Sequence, residues 1–121
     1  TSSLDVVFQG CTFANSHQHG CLVEATSTRV RFIGSTFDSN SQSSSGTYAG
    51  VSFGAGATDF VVQGCYAGTG GRFAATQGVG ILINSGSSNR YIVADNLIGG
   101  NTSLGVFDGG TGVVKRVENN Y

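Results

Sequence analysis

The seven carboxylates are the residues of this 121-residue chain with the clearest chemical potential. Two carboxyl groups about 5 to 9.5 Å apart can cleave a glycosidic bond, one as the acid and the other as the base or nucleophile. We single out Glu24, which projects from a predicted strand, and Asp59, which occupies a turn, as candidate catalytic residues. Each also has a simpler interpretation: Glu24 as a lone surface acid, and Asp59 as the surface partner of Arg29.

Candidate ligand-binding side chains lie mostly in polar segments that lack a strand pattern. His17 and His19 form an H-x-H motif that could bind a ligand, a metal or a proton, and a solvated polar turn is the alternative. Tyr48 and Arg72 lie in further segments rich in Ser, Thr and Asn, and Asn84 occupies an outward position of a predicted strand. We predict that these five residues bind carbohydrate, and we expect no metal site and no cofactor.

These residues are set among four copies of one stretch of sequence. Each copy begins with a glycine and ends with Phe or Val 12, 12, 13 and 12 residues later. The leading residues are Gly20, Gly50, Gly80 and Gly105. A spacing that persists while most side chains change indicates a geometric constraint, which is typical of repeat proteins.

Each copy contains two short runs in which apolar and polar residues alternate, which predicts β-strands with one inward face. A two-residue bend follows the second run, and a third short run follows the bend. The first bend position holds Gly10, Gly34, Gly64, Asp95 and Asn119. The second bend position holds Cys11, Ser35, Cys65, Asn96 and Asn120. Three strands in every repeat, followed by a connection of variable length, predict a coil of parallel strands.

This pattern resembles the right-handed parallel β-helices of the pectin-lyase-like type, which include phage tailspikes and polysaccharide depolymerases. The bends V-A-D-N-L-I and V-E-N-N-Y carry the resemblance, together with variable connections at residues 14–19, 38–49, 67–79 and 99–104. The resemblance implies an all-β, single-stranded coil of about four to five rungs with three short strands per rung. An antiparallel β-sandwich is the alternative, although it does not explain the regular spacing.

The resemblance also implies a function. We expect a segment of a phage tailspike or of a similar receptor-binding protein that binds bacterial surface polysaccharide, located in the virion tail after assembly in the bacterial cytoplasm. The residues leave open whether the chain also degrades the polysaccharide as a glycosidase or lyase. A stand-alone polysaccharide lyase or glycoside hydrolase domain and a structural shaft or adhesin segment are the alternatives, with a secreted or cell-surface location.

Composition limits the partners. Charged residues make up 11% of the chain and the net charge is -1, which argues against nucleic-acid binding. No apolar run is long enough for a spanning helix, so we expect no membrane partner. The chain does not begin with Met, and we expect a single domain over residues 1–121 that is a fragment of a longer protein with flanking domains.

The outward positions of the predicted strands indicate self-association. Leu22, Leu82 and Phe107 share one outer face, and Val61 and Ile92 share another, so we expect a homotrimer. Inward positions late in the chain hold two charges, Asp108 and Lys115, and we expect either that they pair with each other or that the coil opens there onto the next domain. Cys11 and Cys65 lie two repeats apart, beyond disulfide reach, and we expect all three cysteines to be free and buried.

Overall fold

The structure is a computed structural model, and it describes residues 4–121. The described residues form twelve β-strands and no helix, so none of them belongs to a helix that could cross a membrane. The strands are β1 (Leu4–Gln9), β2 (Thr12–Ala14), β3 (Cys21–Val23), β4 (Thr28–Ile33), β5 (Thr36–Asp38), β6 (Ala49–Phe53), β7 (Val61–Gln63), β8 (Tyr66–Gly68), β9 (Val79–Gly86), β10 (Tyr91–Ala94), β11 (Leu104–Gly110) and β12 (Lys115–Glu118).

The strands form three sheets in which neighbouring strands run parallel. The five-stranded sheet has the order β1-β4-β7-β10-β12, the four-stranded sheet β11-β9-β6-β3 and the three-stranded sheet β2-β5-β8. From β3 to β10 the chain visits the four-stranded, the five-stranded and the three-stranded sheet in turn. After β10 a single bridge from Leu97 to Tyr66 takes the place of a strand in the three-stranded sheet, and β11 and β12 return to the other two sheets. The parallel pairing excludes the antiparallel sandwich, and the architecture is compatible with a parallel β-helix.

Residues at equivalent positions of the repeated sequence pair with each other in the sheets. Leu22 aligns with Ser52, Ser52 with Leu82, and Leu82 with Phe107. In the five-stranded sheet Phe32 aligns with Val62 and Val62 with Val93. The extra residue of the third copy lies in the turn that precedes Asn89, which still pairs with Thr58. The positions that the sequence groups together are therefore neighbours in space.

The first bend position requires a backbone conformation that few residues adopt. All five of its residues have positive φ: Gly10 63°, Gly34 56°, Gly64 63°, Asp95 59° and Asn119 52°. Glycine reaches this left-handed region without a steric penalty, and Asn and Asp reach it more easily than other side chains. The conformation therefore explains why only these three residue types occupy the position.

The second bend position points into the protein and satisfies backbone groups there. Asn96 is fully buried; its Nδ2 donates to Val62 O at 3.0 Å and to Asn120 Oδ1 at 2.9 Å, and its Oδ1 accepts from Cys65 N at 2.9 Å. Ser35 has a similar role in an earlier repeat, where its hydroxyl donates to Phe8 O at 3.1 Å. These side chains link successive repeats through the interior.

Aromatic rings fill the core beside this polar row. Phe53 stacks on Phe60 with ring centroids 3.9 Å apart, and Phe60 stacks on Tyr91 at 4.6 Å. Phe8 and Phe32 form a second stack at 4.9 Å. Offset stacking of parallel rings adds about 0.5–1.5 kcal/mol per pair to the gain from burial. The Phe60–Tyr91 and Phe8–Phe32 stacks thus join successive repeats, whereas the Phe53–Phe60 stack joins two strands of one repeat.

The three cysteines are free, as expected, but the expectation that all are buried is wrong for two of them. Cys65 is buried, whereas Cys11 and Cys21 are only half-buried. Burial raises the pKa of the Cys65 thiol and of the Cys21 thiol, which keeps both protonated at neutral pH. Cys21 is partly exposed because β3 is an edge strand of the four-stranded sheet.

Candidate functional site

Three variable connections stack on one another at one side of the protein. They are residues 15–20, 39–48 and 69–78, and we call their outer surface the loop face. Backbone hydrogen bonds join the first two connections, and others join the second to the third. These bonds include Ser41 N to Gln18 O (2.9 Å), Ser43 N to His17 O (3.0 Å), Gly46 N to Thr76 O (2.8 Å) and Gly78 N to Tyr48 O (2.8 Å). The loop face is therefore an ordered extension of the sheets.

A second row of amide side chains lies beneath the loop face. Asn40 Nδ2 donates to Gln77 Oε1 at 2.9 Å, and Gln77 Nε2 donates to Asn101 Oδ1 at 2.9 Å. Asn40 and Gln77 are fully buried. We call these three residues the loop amide row. The sequence did not reveal it, because connections of different length place its members at different distances from the repeated glycines.

The loop face brings two of the predicted carbohydrate-binding residues together. The rings of His19 and Tyr48 meet edge to face, with centroids 5.1 Å apart. His19 Nδ1 accepts a hydrogen bond from Ala49 N at 3.0 Å, and burial lowers the pKa of His19. The imidazole is therefore neutral at pH 7 and carries its proton on Nε2, which leaves one donor for a ligand.

Two of the other predicted carbohydrate-binding residues, His17 and Arg72, also belong to the connections of the loop face, and Asn84 does not. His17 is an exposed residue of the first connection, and its carbonyl accepts from Ser43 Oγ at 2.6 Å. Arg72 belongs to the third connection, where its guanidinium lies 5.4 Å from the ring centroid of Phe73. Asn84 lies on β9 instead, and its Nδ2 donates to Phe53 O at 2.9 Å.

The two candidate catalytic carboxylates line different cavities. Glu24 lines a cavity of about 210 Å³ beside β3, together with Phe8 and Cys21. Asp59 lines a groove of about 480 Å³ on the five-stranded sheet. Hydrogen bonds from Arg90 are the main reason that the pKa of Asp59 lies below its usual range, which suits an anion better than a general acid. The structure therefore does not gather Glu24 and Asp59 into one acid pair.

Asp59 belongs to a row of alternating charges, which we call the charge row: Asp5, Arg29, Asp59 and Arg90. Arg90 Nε and Nη2 bind the two carboxylate oxygens of Asp59, each at 2.7 Å. Arg29 binds Asp5 in the same way at 2.6 and 2.9 Å. The predicted pairing of Asp59 with Arg29 is wrong, because Arg29 makes its two-point contact with Asp5 and Asp59 receives its two-point contact from Arg90. All four residues have positive φ, between 53° and 59°.

The predicted pairing of Asp108 with Lys115 is confirmed. Lys115 Nζ lies 2.9 Å from Asp108 Oδ2, and the two side chains are 28% and 22% exposed. Tyr91 donates its hydroxyl proton to Asp108 Oδ1. Burial and the nearby Asp108 carboxylate both raise the pKa of Tyr91, so its hydroxyl stays protonated. The cluster neutralises two charges that the strand pattern directs towards the core.

No protein-family model, no curated protein and no solved structure matches this chain. Within residues 4–121 no three His, Cys, Asp or Glu side chains are grouped as ligands for a metal ion. Two surfaces remain as candidate sites: the loop face and the groove on the five-stranded sheet.

Proposed function

We propose that the chain forms a right-handed parallel β-helix with three short strands per rung, and that it serves in a receptor-binding protein of the phage tailspike kind. Its ligand is a polysaccharide of the bacterial surface, and its place is the virion tail. The order in which the chain visits the three parallel sheets supports the coil. The resemblance of the bends and connections to tailspike-like coils supports the function.

The observation that carries polysaccharide binding is the loop face. Its connections are fixed by hydrogen bonds to one another and by the loop amide row beneath them. Polar side chains on a rigid surface lose little freedom when they bind, and this makes weak hydrogen bonds to a sugar chain effective. His17, His19 and Tyr48 supply an exposed imidazole, a neutral Nε2 donor and a phenol ring on that surface.

The positions of the two candidate catalytic carboxylates favour binding of the polysaccharide without cleavage. Glu24 and Asp59 line separate cavities, and Asp59 is engaged by Arg90. A hydrolase would need an acid and a base that face one sugar linkage. We therefore propose a receptor-binding role for this chain and treat degradation as a result to be tested.

We propose in addition that the protein assembles as a homotrimer through its four-stranded sheet. The outer side of this sheet carries Leu22 and Phe107, which are 59% and 39% exposed, and half-buried Leu82 lies in register beside Phe107. Apolar side chains in adjoining strands form a patch that a partner surface can bury. A neighbouring copy of the chain is the partner that we propose.

A panel of purified capsular and lipopolysaccharide glycans tests the function. We expect saturable binding to at least one glycan, with no new reducing ends and no unsaturated products. His19→Ala combined with Tyr48→Ala should weaken binding by roughly tenfold or more, because the pair supplies a donor and a contact face. Release of products would show that the chain is a depolymerase. Failure to bind any glycan would contradict the proposal and favour the alternative that the chain is a structural shaft.

A further inference from the structure

The end of the first connection is fastened to the start of β6 through both backbone groups of Ala49. His19 Nδ1 accepts a hydrogen bond from Ala49 N at 3.0 Å, and Gly20 N donates to Ala49 O at 3.1 Å. Ala49 is fully buried, so its N–H depends on the imidazole for an acceptor. The His19 side chain therefore joins the first connection to the strand that follows the second connection.

The same imidazole contacts the aromatic ring that the loop face offers to a ligand. The rings of His19 and Tyr48 meet edge to face, with centroids 5.1 Å apart. Tyr48 directly precedes Ala49, so the ring contact and the hydrogen bond to Ala49 hold the two side chains in one arrangement. Because Nδ1 is an acceptor in this arrangement, the proton of the neutral ring lies on Nε2 and can be donated to a ligand. The arrangement therefore requires a neutral imidazole.

The surroundings of His19 hold no charge that would stabilise an imidazolium. The first two connections, residues 15–20 and 39–48, contain no Asp, Glu, Lys or Arg, and β3 and β6 contain none either. Their other titratable side chains near His19 are those of His17 and Tyr48, and the one charge of the third connection is Arg72. Burial is the main cause that holds the pKa of His19 below its usual value, and no charged side chain within residues 4–121 contributes to that shift.

Protonation of His19 would set two N–H groups against each other. Nδ1 and Ala49 N are 3.0 Å apart, which is the distance of a donor from its acceptor. The protonated ring would have to turn away, and its contact with Tyr48 and its Nε2 donor would move with it. Other bonds between the first two connections do not involve the imidazole, and one of them joins Ser41 N to Gln18 O at 2.9 Å. The change would therefore affect the two ring side chains and leave the connections stacked.

We propose that His19 is a proton switch for the loop face: the neutral imidazole holds the arrangement with Tyr48 that binds polysaccharide, and the imidazolium releases it. The inference rests on polysaccharide binding as the function of the chain, and it adds the regulation of that site. Only the neutral fraction of the protein binds, so the apparent affinity falls in proportion to that fraction. Below the midpoint of the His19 titration the affinity should fall about tenfold for each pH unit.

Nuclear magnetic resonance on the free chain tests the switch without a ligand. We expect the backbone amide resonance of Ala49 to titrate with the same midpoint as the ring of His19. His19→Asn should abolish this titration, because it keeps an amide oxygen near the position of Nδ1 and has no group that titrates. His17→Asn is the matched control: His17 is exposed, so this variant should keep the titration of Ala49. An Ala49 amide that does not follow His19 would overturn the switch.

Titration calorimetry with purified capsular polysaccharides and lipopolysaccharide O-chains then measures binding one pH unit above and one pH unit below that midpoint. The parent and His17→Asn should each bind about tenfold more weakly at the lower pH, whereas the affinity of His19→Asn should be similar at both. Equal binding by the parent at the two pH values would overturn the switch and leave polysaccharide binding in place.

The two histidine variants also decide which imidazole is responsible. A pH dependence that is lost in His17→Asn and kept in His19→Asn would assign the effect to the exposed ring and would overturn the switch. Failure of every glycan to bind at either pH would overturn the proposed function, and the switch with it.

Discussion

Asn96 satisfies three polar groups from inside the protein. It bonds Val62 O and Cys65 N in the repeat before its own, and Asn120 Oδ1 in the repeat after. Solvent does not reach the amide, because Asn96 is fully buried. One amide at this position therefore does what a bridging water molecule would do in a looser interior.

Asn96→Ala should lower the free energy of unfolding by about 1–3 kcal/mol, because it leaves the backbone N–H of Cys65 without its acceptor inside the protein. Urea unfolding followed by circular dichroism measures the change. Asp95→Asn, one residue earlier on the exposed bend, is the control and should change stability by less than about 0.5 kcal/mol. Equal losses in the two variants would contradict the role given to the buried amide.

His19 should titrate below the ordinary histidine pKa of about 6.5, because burial disfavours the charged imidazolium. Protonation would also remove Nδ1 as the acceptor for Ala49 N. A depressed folded-state pKa means that His19 contributes stability above about pH 6.5 and that this contribution is lost as the pH falls through the folded pKa. Proton NMR titration measures it, and His19→Gln assigns the resonance. A value at or above about 6.5 would refute the buried, neutral state.

At the scale of the strands, the sequence predicted the register but not every interior contact. The constant distance from glycine to bend was enough to align Leu22, Ser52 and Leu82, because parallel pairing of equally spaced segments places equivalent residues side by side. The sequence did not predict the loop amide row, because the connections that carry its members differ in length. It did not predict the partner of Asp59 either, since Arg29 and Arg90 flank Asp59 at equivalent positions and only the side-chain geometry shows which of them binds it.

Asp108 should make stability depend on pH in the acid range. Burial raises the pKa of Asp108, but hydrogen bonds from Tyr91 and Lys115 outweigh burial and hold the pKa below its usual range. The folded-state pKa is depressed, so this contribution is complete above about pH 4 and is lost as the pH falls through the folded pKa.

Asp108→Asn should therefore lower stability at about pH 7, where it leaves Lys115 unpaired, and it should lose less stability than the parent between about pH 5 and about pH 3. Urea midpoints measured at each pH give the comparison. A profile for Asp108→Asn parallel to that of the parent would show that the cluster does not couple to folding.

At the scale of the whole molecule, the two larger sheets have different outer faces. The four-stranded sheet carries exposed Leu22 and Phe107, and none of its strands contains Lys or Arg. The five-stranded sheet carries the basic residues and the groove. The sequence indicated both outward apolar rows, but the groove between Val61 and Arg116 became visible only when the strands were placed side by side.

If the four-stranded sheet mediates self-association, Leu22→Glu combined with Phe107→Glu should convert the assembly to a monomer. Carboxylates on an apolar contact surface would have to be buried without partners. Light scattering after size-exclusion chromatography measures the mass in solution. Leu97→Glu is the control, because Leu97 is about equally exposed at 58% but lies beside Tyr66, outside that sheet. A parent that is already monomeric would refute the trimer.

The charge row has a consequence for how the length of this protein can change. Asp5, Arg29, Asp59 and Arg90 alternate in sign from one repeat to the next, so removal of the single repeat that contains Arg29 would set Asp5 beside Asp59. Like charges directly opposite each other on neighbouring strands are destabilising. Loss or duplication of two repeats together would instead keep every acid beside a base. Gain or loss of repeats in pairs should therefore disturb this surface less than gain or loss of a single repeat.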